Sequence, residues 1–187
     1  MSTAMDERER GQKLLRYARE SIAEELGGPH ARPPFGDAFD RPGATFVTLT
    51  KHGRLHGCIG TIEAMRPLVE DIRHNAVAAA FSDPRSFPLR KDELEHVHVE
   101  ISVLSPLEQV PVKSEEEAIA KIRPHVDGVV IRAGHRRGTF LPQVWSKVPS
   151  PPEFFAELKM KAGLSPEGWP AGAELYRFAV VEKWSDP

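Results

Sequence analysis

Residues 45–60 read TFVTLTKHGRLHGCIG, and this stretch predicts a β-hairpin. Residues 45–50 are rich in threonine, valine and other side chains that favour strands. KHGR follows with a glycine suited to a tight turn, and LHGCIGTIE then resumes an extended pattern. An antiparallel hairpin that carries a cysteine in its second strand is therefore the simplest structure for this region.

Helices are predicted on both sides of the hairpin. Apolar residues recur every three or four positions over residues 6–26 and again over 68–80, which is the spacing of one apolar helical face. Residues 29–43 contain four prolines and two glycines, so we expect a loop with neither a helix nor a central strand.

The second half of the chain also mixes strands with helices. Residues 97–104 alternate apolar and polar side chains, as a strand buried on one face does. Two strands are expected within 128–140 and a single closing strand in ELYRFAVVEKW at 174–184, with short helices after Ser114 and Ser150. Because neighbouring strands pair as hairpins, the sequence predicts an α+β fold with a mixed or largely antiparallel sheet and flanking helices.

Composition limits the classes of protein that fit. The 187 residues allow one domain or two small lobes, and 40% hydrophobic residues supply a core. A formal charge of -2 makes nucleic acid an unlikely partner, since phosphate binding needs a basic excess. The single cysteine excludes an intramolecular disulfide, and the chain shows neither a signal core nor an apolar run long enough for a bilayer. We expect a cytoplasmic protein that does not enter membranes.

Cys58 is the first candidate for chemistry. On a regular strand His56 and Cys58 point to the same face, and a nearby histidine can help to form the nucleophilic thiolate. Gly57 and Gly60 have no side chains to block a ligand that approaches this strand. The alternative is that Cys58 is a small buried residue and that the glycines permit tight packing or a bulge. The residues by themselves favour this second interpretation.

Other polar residues give weaker signals. Asp83-Pro84-Arg85 follows a predicted helix. The planar guanidinium of Arg85 suits a carboxylate or phosphate ligand, but the residues favour the alternative, in which Arg85 ties down the turn by pairing with Asp83 or bonding carbonyls. Gln143 and the tryptophan two residues later suit a pocket wall or a packed corner equally well. A metal site built on His56 and Cys58 lacks a second cysteine and any recognised ligand spacing, so no metal is expected.

Five separated motifs resemble one protein family. They are LHGCIG at 55–60, AAAFSDPR at 78–85, EISVLSP at 100–106, TFLPQVW at 139–145 and KAGL at 161–164. Together and in this order they resemble the AMME syndrome chromosomal-region protein family, whose bacterial and archaeal members are called AmmeMemoRadiSam system protein A. The family hexapeptide usually reads LRGCIG, so His56 stands where arginine is usual. Ser86 likewise follows DPR where the family usually has an aromatic residue.

The resemblance runs from about Gly43 to Phe178 and implies a compact α+β fold of two unequal lobes. We assign one family domain to residues 1–187 and expect no cofactor. The resemblance also implies an association with a Memo-like protein and a radical S-adenosylmethionine protein. We expect an accessory component that binds an unknown small molecule or a partner near LHGCIG, with Cys58 and His56 as the candidate catalytic pair. Gly57, Gly60, Asp83, Arg85 and Gln143 are the candidate ligand-binding residues. A noncatalytic adaptor with a structural Cys58 is the alternative, and the two differ in whether the thiol is reactive.

Overall fold

The computed structural model describes residues 6–187, which divide into two compact units. The first unit contains the described residues up to Leu104 together with Val181–Pro187, and the second contains Ser105–Val180. Each unit has helices and one antiparallel four-stranded sheet, which confirms the predicted α+β class.

Helices and strands follow one another in this order along the described residues: α1 (Glu7–Glu25), α2 (Asp37–Asp40), β1 (Pro42–Gly43), β2 (Thr45–Lys51), β3 (Arg54–Gly60), β4 (Arg66–Pro67), α3 (Leu68–Phe81), β5 (Val97–Leu104), β6 (Glu108–Val110), α4 (Glu115–Lys121), β7 (Gly128–Ala133), β8 (Arg136–Phe140), α5 (Pro151–Lys161), β9 (Glu174–Phe178) and β10 (Val180–Ser185). Short 3-10 helices cover Lys91–His96 and Pro142–Ser146.

The sheet of the first unit is built around the predicted hairpin. Its strand order is β10-β5-β2-β3, with β2 antiparallel to both β3 and β5. The turn between β2 and β3 consists of His52 and Gly53, both with positive φ (50° and 73°). Two consecutive positive φ values match the right-handed twist of a two-residue hairpin, so this turn aligns the strands closely. The arrangement leaves β3 at the edge of the sheet.

A β-bulge interrupts the hairpin near the cysteine. Leu49 pairs with Gly57, whereas the next residue of β2, Thr50, pairs with Leu55. His56 is therefore an extra residue without a partner on β2. Because side chains alternate faces only along a regular strand, the bulge breaks the alternation between His56 and Cys58.

Helices α1 and α3 cover one face of this sheet. The core of the first unit combines fully buried side chains of β2, such as Val47 and Leu49, with Ile72 and Ala79 of α3. Burying each large aliphatic side chain stabilises the fold by about 1.5–3 kcal/mol. The small alanines of α3 let the helix backbone pack closely on β3, where Gly57 lies against the carbonyl of Ala79. This contact sets the distance between the helix and the hairpin.

A buried carboxylate joins α3 to both strands of the hairpin region. Asp71 Oδ2 accepts hydrogen bonds from Thr45 N (2.9 Å) and Thr45 Oγ1 (2.7 Å), and Asp71 Oδ1 accepts one from Thr61 Oγ1 (2.5 Å). Asn75 Nδ2 donates to Thr45 O and to Thr61 Oγ1. Because buried polar groups need partners, this network fixes the start of β2 and the residue after β3 against the helix.

The second unit has its own sheet and core. Its strand order is β6-β9-β7-β8, and α5 packs on it through Phe154 and Phe155. The rings of Phe154 and Trp145 are stacked at 3.6 Å between centroids, and Trp145 Nε1 donates to Asp127 O. Lys159 of α5 is fully buried, where its ammonium donates to Glu115 and to Gly168 O (2.8 Å).

Two local predictions differ from the structure. The loop 29–43 contains the one-turn helix α2 and the two-residue strand β1, because no proline lies between Pro34 and Pro42. The closing segment 174–184 is divided at Ala179 into β9 of the second sheet and β10 of the first. Continuous apolar alternation cannot reveal such a division, because it does not specify which sheet a strand joins.

No helix within residues 6–187 combines the length and the apolar character that crossing a bilayer requires.

Candidate functional site

Side chains of the 82–86 turn bind the free edge of β3 at Cys58. The backbone N–H of Cys58 donates to Asp83 Oδ2 (2.8 Å), and Arg85 Nη2 donates to the carbonyl of Cys58 (3.1 Å). Ser86 Oγ donates to the carbonyl of His56. These contacts replace the hydrogen bonds that a neighbouring strand would make, so the LHGCIG and SDPR motifs form one structural unit.

Asp83 and Arg85 are first of all partners of each other. The Asp83 side chain is fully buried, and its carboxylate accepts from Arg85 N (3.0 Å), Nε (2.9 Å) and Nη2 (2.6 Å). The Arg85 guanidinium, together with the Cys58 N–H, holds the pKa of Asp83 well below its usual range against the opposing effect of burial. Arg85 itself remains more than half exposed at its outer side. The interpretation in which Arg85 ties down the turn therefore describes its observed contacts.

The Cys58 thiol lies on the sheet face opposite α3. Cys58 is paired with Thr48, whose Oγ1 donates to Cys58 Sγ at 3.3 Å. Across the next strand Thr48 is paired with Glu100, and Glu100 binds Lys183 Nζ at 3.0 Å. Cys58 is half-buried, and its thiol belongs to a polar row across the sheet. Its register partner Thr48 was missed by the sequence analysis, although the hairpin register specifies it.

His56 points away from this row. Its side chain is buried, and its Nε2–H donates to Ala80 O of α3 at 3.3 Å. The bulge is the reason, because it turns His56 toward the helix while Cys58 keeps the opposite face. Within residues 6–187, Cys58 Sγ and His56 Nε2 have separate hydrogen-bond partners. The structure thus does not bring the two candidate catalytic residues together as nucleophile and base.

The two glycines of the motif are in close contact with the protein's own atoms. A Cβ on Gly57 would overlap the carbonyl oxygen of Ala79 in α3, and a Cβ on Gly60 would overlap the ring of Phe46. Close approach of a helix backbone and of an aromatic ring therefore accounts for both glycines. A ligand-binding role for Gly57 and Gly60 stays a prediction.

A groove opens beside the fused motifs and consists of two adjoining hollows of about 420 and 450 Å³. We call it the motif groove. The hollows share Lys51, His56 and Ser86. The remaining lining residues are His52, Arg54 and Leu55 in the first hollow, and Arg85, Phe87, Pro88, Arg90 and Glu93 in the second. Apart from His56 and Arg85, these residues are not among the site candidates predicted from the sequence, because exposed basic and apolar side chains around a turn carry no pattern.

Charge in the motif groove is mostly positive. Lys51 Nζ contacts Glu93 Oε1 at 2.6 Å, and this bond lowers the pKa of Glu93 to about 2. Arg90 pairs with the exposed Asp92 at 3.2 Å. Arg54 is exposed, and no ion pair involves it among the described residues. Cations therefore line both hollows, and Glu93 is the single carboxylate on their walls.

Gln143 lies in the second unit. It is exposed on the 3-10 helix Pro142–Ser146, whose Trp145 is buried in the core of that unit. Among the described residues no three histidine, cysteine, aspartate or glutamate side chains converge in a metal-binding group.

Comparison with known proteins agrees with the motif resemblance. The AMMECR1 family matches residues 15–183. A protein of Methanothermobacter thermautotrophicus is 38% identical over 180 residues, covering 91% of this chain and 92% of that protein. Protein MJ0810 of Methanocaldococcus jannaschii is 36% identical over 179 residues, with coverages of 91% and 87%. The crystal structure of uncharacterized protein PH0010 from Pyrococcus horikoshii is similar with a TM-score of 0.82 and 32% identity, covering 94% of this chain and 91% of the other.

Proposed function

The chain belongs to the AMMECR1 family, and we propose that it is an accessory component of the AmmeMemoRadiSam system that binds a small molecule or a partner segment in the motif groove. In this proposal Cys58 has a structural role and the protein is a noncatalytic binding module. The proposed partners are a Memo-like protein and a radical S-adenosylmethionine protein.

One observation carries the proposal. The two motifs that meet at Cys58 are locked together by Asp83, Arg85 and Ser86, and the groove opens beside this junction. His56 and Ser86 from the two motifs line both of its hollows. A recognition surface needs a rigid support so that little ordering cost is incurred on binding. The fused motifs supply such a support.

The contacts of the cysteine argue against a nucleophile–base pair. The Nε2–H of His56 donates to Ala80 O, so this nitrogen cannot accept a proton from the thiol while that bond exists. A general base must lie within hydrogen-bond reach of the proton that it removes. Two side chains interact with the thiol: the Thr48 hydroxyl, which has no basic character, and the Arg85 guanidinium, which is always charged and has no acceptor for a proton.

The test uses the purified Memo-like and radical proteins of the same organism and measures binding by calorimetry. Cys58→Ser should leave the dissociation constant within about twofold, since a serine hydroxyl can accept from Thr48 and Arg85 as the thiol does. Leu55→Glu, within the motif groove, should weaken binding at least about tenfold. Met65→Glu is the matched control, because Met65 is also an exposed apolar residue but lies outside the groove.

Two results would count against this function. Loss of binding in Cys58→Ser would give the thiol a direct role. Full binding by Leu55→Glu would show that the motif groove is not the binding site. Binding by neither partner would contradict the proposed role in the AmmeMemoRadiSam system.

A second candidate function is thiol chemistry at Cys58. It is favoured by the surroundings of Cys58, which is half-buried, accepts a hydrogen bond from the Thr48 hydroxyl and lies beside the Arg85 guanidinium, a positively charged neighbour of the kind that reactive cysteines have. The test is the rate of Cys58 alkylation by iodoacetamide between pH 5 and 10, with Thr48→Val as comparison. A rate that follows an ordinary thiol pKa of about 8.5 in both proteins would exclude an activated cysteine.

A further inference from the structure

We propose that the occupant of the motif groove is an extended acidic segment of a partner protein that also carries apolar side chains. This inference rests on the proposed function and deepens it by specifying the chemistry of the partner. Carboxylates of the segment would bind Arg54 and Arg85, and its apolar side chains would pack on Leu55 and Phe87.

Two guanidinium groups in the groove are exposed enough to bind a carboxylate. Arg54 takes part in no ion pair among residues 6–187. Arg85 uses Nε and Nη2 for Asp83 and the Cys58 carbonyl and also interacts with the Cys58 side chain, while 58% of its own side chain is exposed. The donors of a guanidinium are planar and fixed, so Asp83 orients the exposed part of Arg85. Because the whole chain has a formal charge of -2, this positive surface is a local feature.

Large apolar side chains stand beside these cations. Leu55 is 52% exposed and lines the first hollow, and Phe87 is 90% exposed and lines the second. Burial of an exposed phenylalanine or leucine against a partner is favourable by roughly 25 cal/mol per Å² of apolar surface. Each hollow therefore offers an apolar contact and an arginine, Arg54 in the first and Arg85 in the second.

The repeated pair of arginine and apolar contact fits an extended peptide. Side chains of an extended segment alternate in direction and advance by about 3.3 Å per residue, so acidic and apolar groups can reach successive hollows. Addition of the segment as a further strand is not available at residues 56–58, because Asp83, Arg85 and Ser86 already occupy that edge. Recognition must then come from side chains.

The same geometry disfavours a nucleic acid strand. The Glu93 carboxylate stands on the wall of the second hollow and would repel a continuous row of phosphates. A peptide can place an apolar or neutral residue opposite Glu93, whereas a polynucleotide carries a charge at every step.

The experiment measures fluorescence anisotropy of the full chain with a labelled synthetic peptide in which glutamate alternates with leucine and phenylalanine. We expect saturable binding that weakens as salt rises, because charge pairs contribute to it. A peptide with lysine in place of glutamate, and one with serine in place of the apolar residues, should each bind at least about tenfold more weakly.

Matched variants locate the site. Arg54→Ala and Phe87→Ala should each weaken peptide binding by about tenfold. Arg32→Ala and Phe35→Ala are controls whose side chains are also exposed but lie outside the groove, Phe35 being 91% exposed, and both should bind as the wild type does. Circular dichroism should show that all four variants keep the wild-type fold, since none of these side chains is buried.

Several outcomes would overturn the inference. They are equal binding of the acidic and basic peptides, loss of binding in the controls but not in the groove variants, and displacement of the peptide by millimolar inorganic phosphate. Tighter binding of a single-stranded oligonucleotide that depends on Arg54 would identify nucleic acid instead. If the system proteins bind in a manner sensitive to Leu55→Glu but no acidic peptide does, this inference fails while the proposed function stands.

Discussion

Asp83→Ala should remove the hydrogen bonds that hold the 82–86 turn to the edge of β3 and so destabilise the first unit. The fully buried Asp83 carboxylate is the acceptor for the Cys58 N–H at 2.8 Å and for three donors of Arg85. After truncation the Cys58 amide loses its partner and the arginine loses its counter-charge.

The size of the effect follows from these contacts. A hydrogen bond from an amide to a charged carboxylate contributes about 1.5–3 kcal/mol. The ion pair adds at most about 1 kcal/mol, because the Arg85 side chain is 58% exposed and its charge is screened by solvent. The sum for Asp83→Ala is about 1.5–4 kcal/mol of unfolding free energy. Asp83→Asn keeps one acceptor oxygen and should cost less, about 1–2 kcal/mol.

Two measurements check this prediction. Urea unfolding followed by circular dichroism gives the change in free energy, and hydrogen exchange of the Cys58 amide gives the local effect. At 2 kcal/mol the amide should exchange roughly 30 times faster. Asp92→Ala is the control, since Asp92 pairs with Arg90 but is 72% exposed, and it should change stability by less than about 0.5 kcal/mol. An Asp83→Ala protein as stable as this control would refute the conclusion that Asp83 holds the turn to β3.

The Asp83 carboxylate also gives the free energy of unfolding a defined pH dependence. The pKa of Asp83 is lowered in the folded protein from its ordinary value of 3.8. A depressed folded pKa means that the unfolded chain binds the proton first, so the contribution is complete above about pH 5 and is lost as the pH falls through 3.8 and below. Asp83→Asn removes this part of the acid sensitivity, and a pH series of urea midpoints would reveal it.

Three further predictions concern packing and charge. Gly57→Ala should lower the free energy of urea unfolding by about 3 kcal/mol or more, because the added methyl overlaps the backbone carbonyl of Ala79. Gly60→Ala should cost less, because the Phe46 ring can move, and combining it with Phe46→Leu should relieve the overlap. Carbon-detected titration should give Glu93 a pKa of about 2, rising toward 4.5 in Lys51→Met, and an unchanged value in that variant would contradict the pairing. Lys159→Met should destabilise the second unit by about 1–3 kcal/mol. Adding Glu115→Gln to Lys159→Met should cost less than Glu115→Gln does in the wild type, because the two side chains are bonded to each other. Additive losses of unfolding free energy in this double-mutant cycle would rule out coupling between the two side chains.

Local pattern was sufficient for most of the secondary structure. The hairpin, α3 and β5 are found where strand propensity, helical periodicity and alternation predict them. The capping pattern at Ser114 also predicts the start of α4, where Ser114 Oγ accepts from Glu117 N. These features depend on neighbours within a few residues, which the sequence displays directly.

Pairing between distant segments could not be predicted in the same way. The bulge at His56 and the division at Ala179 depend on which strands meet and in which register. The same limitation affected the site, because regular alternation puts His56 and Cys58 on one face, whereas the bulge turns His56 to Ala80.

The sequence by itself determined the family, the α+β class, the cysteine-bearing hairpin and the presence of a DPR turn after a helix. Only the tertiary structure decided that this turn seals the edge of β3, that Cys58 contacts Thr48, and that Arg54 and Phe87 line one groove. The physical reason is that periodicity and motifs record local backbone preference and burial, whereas the Asp83–Cys58 contact joins residues 25 positions apart through a fold that must already be formed.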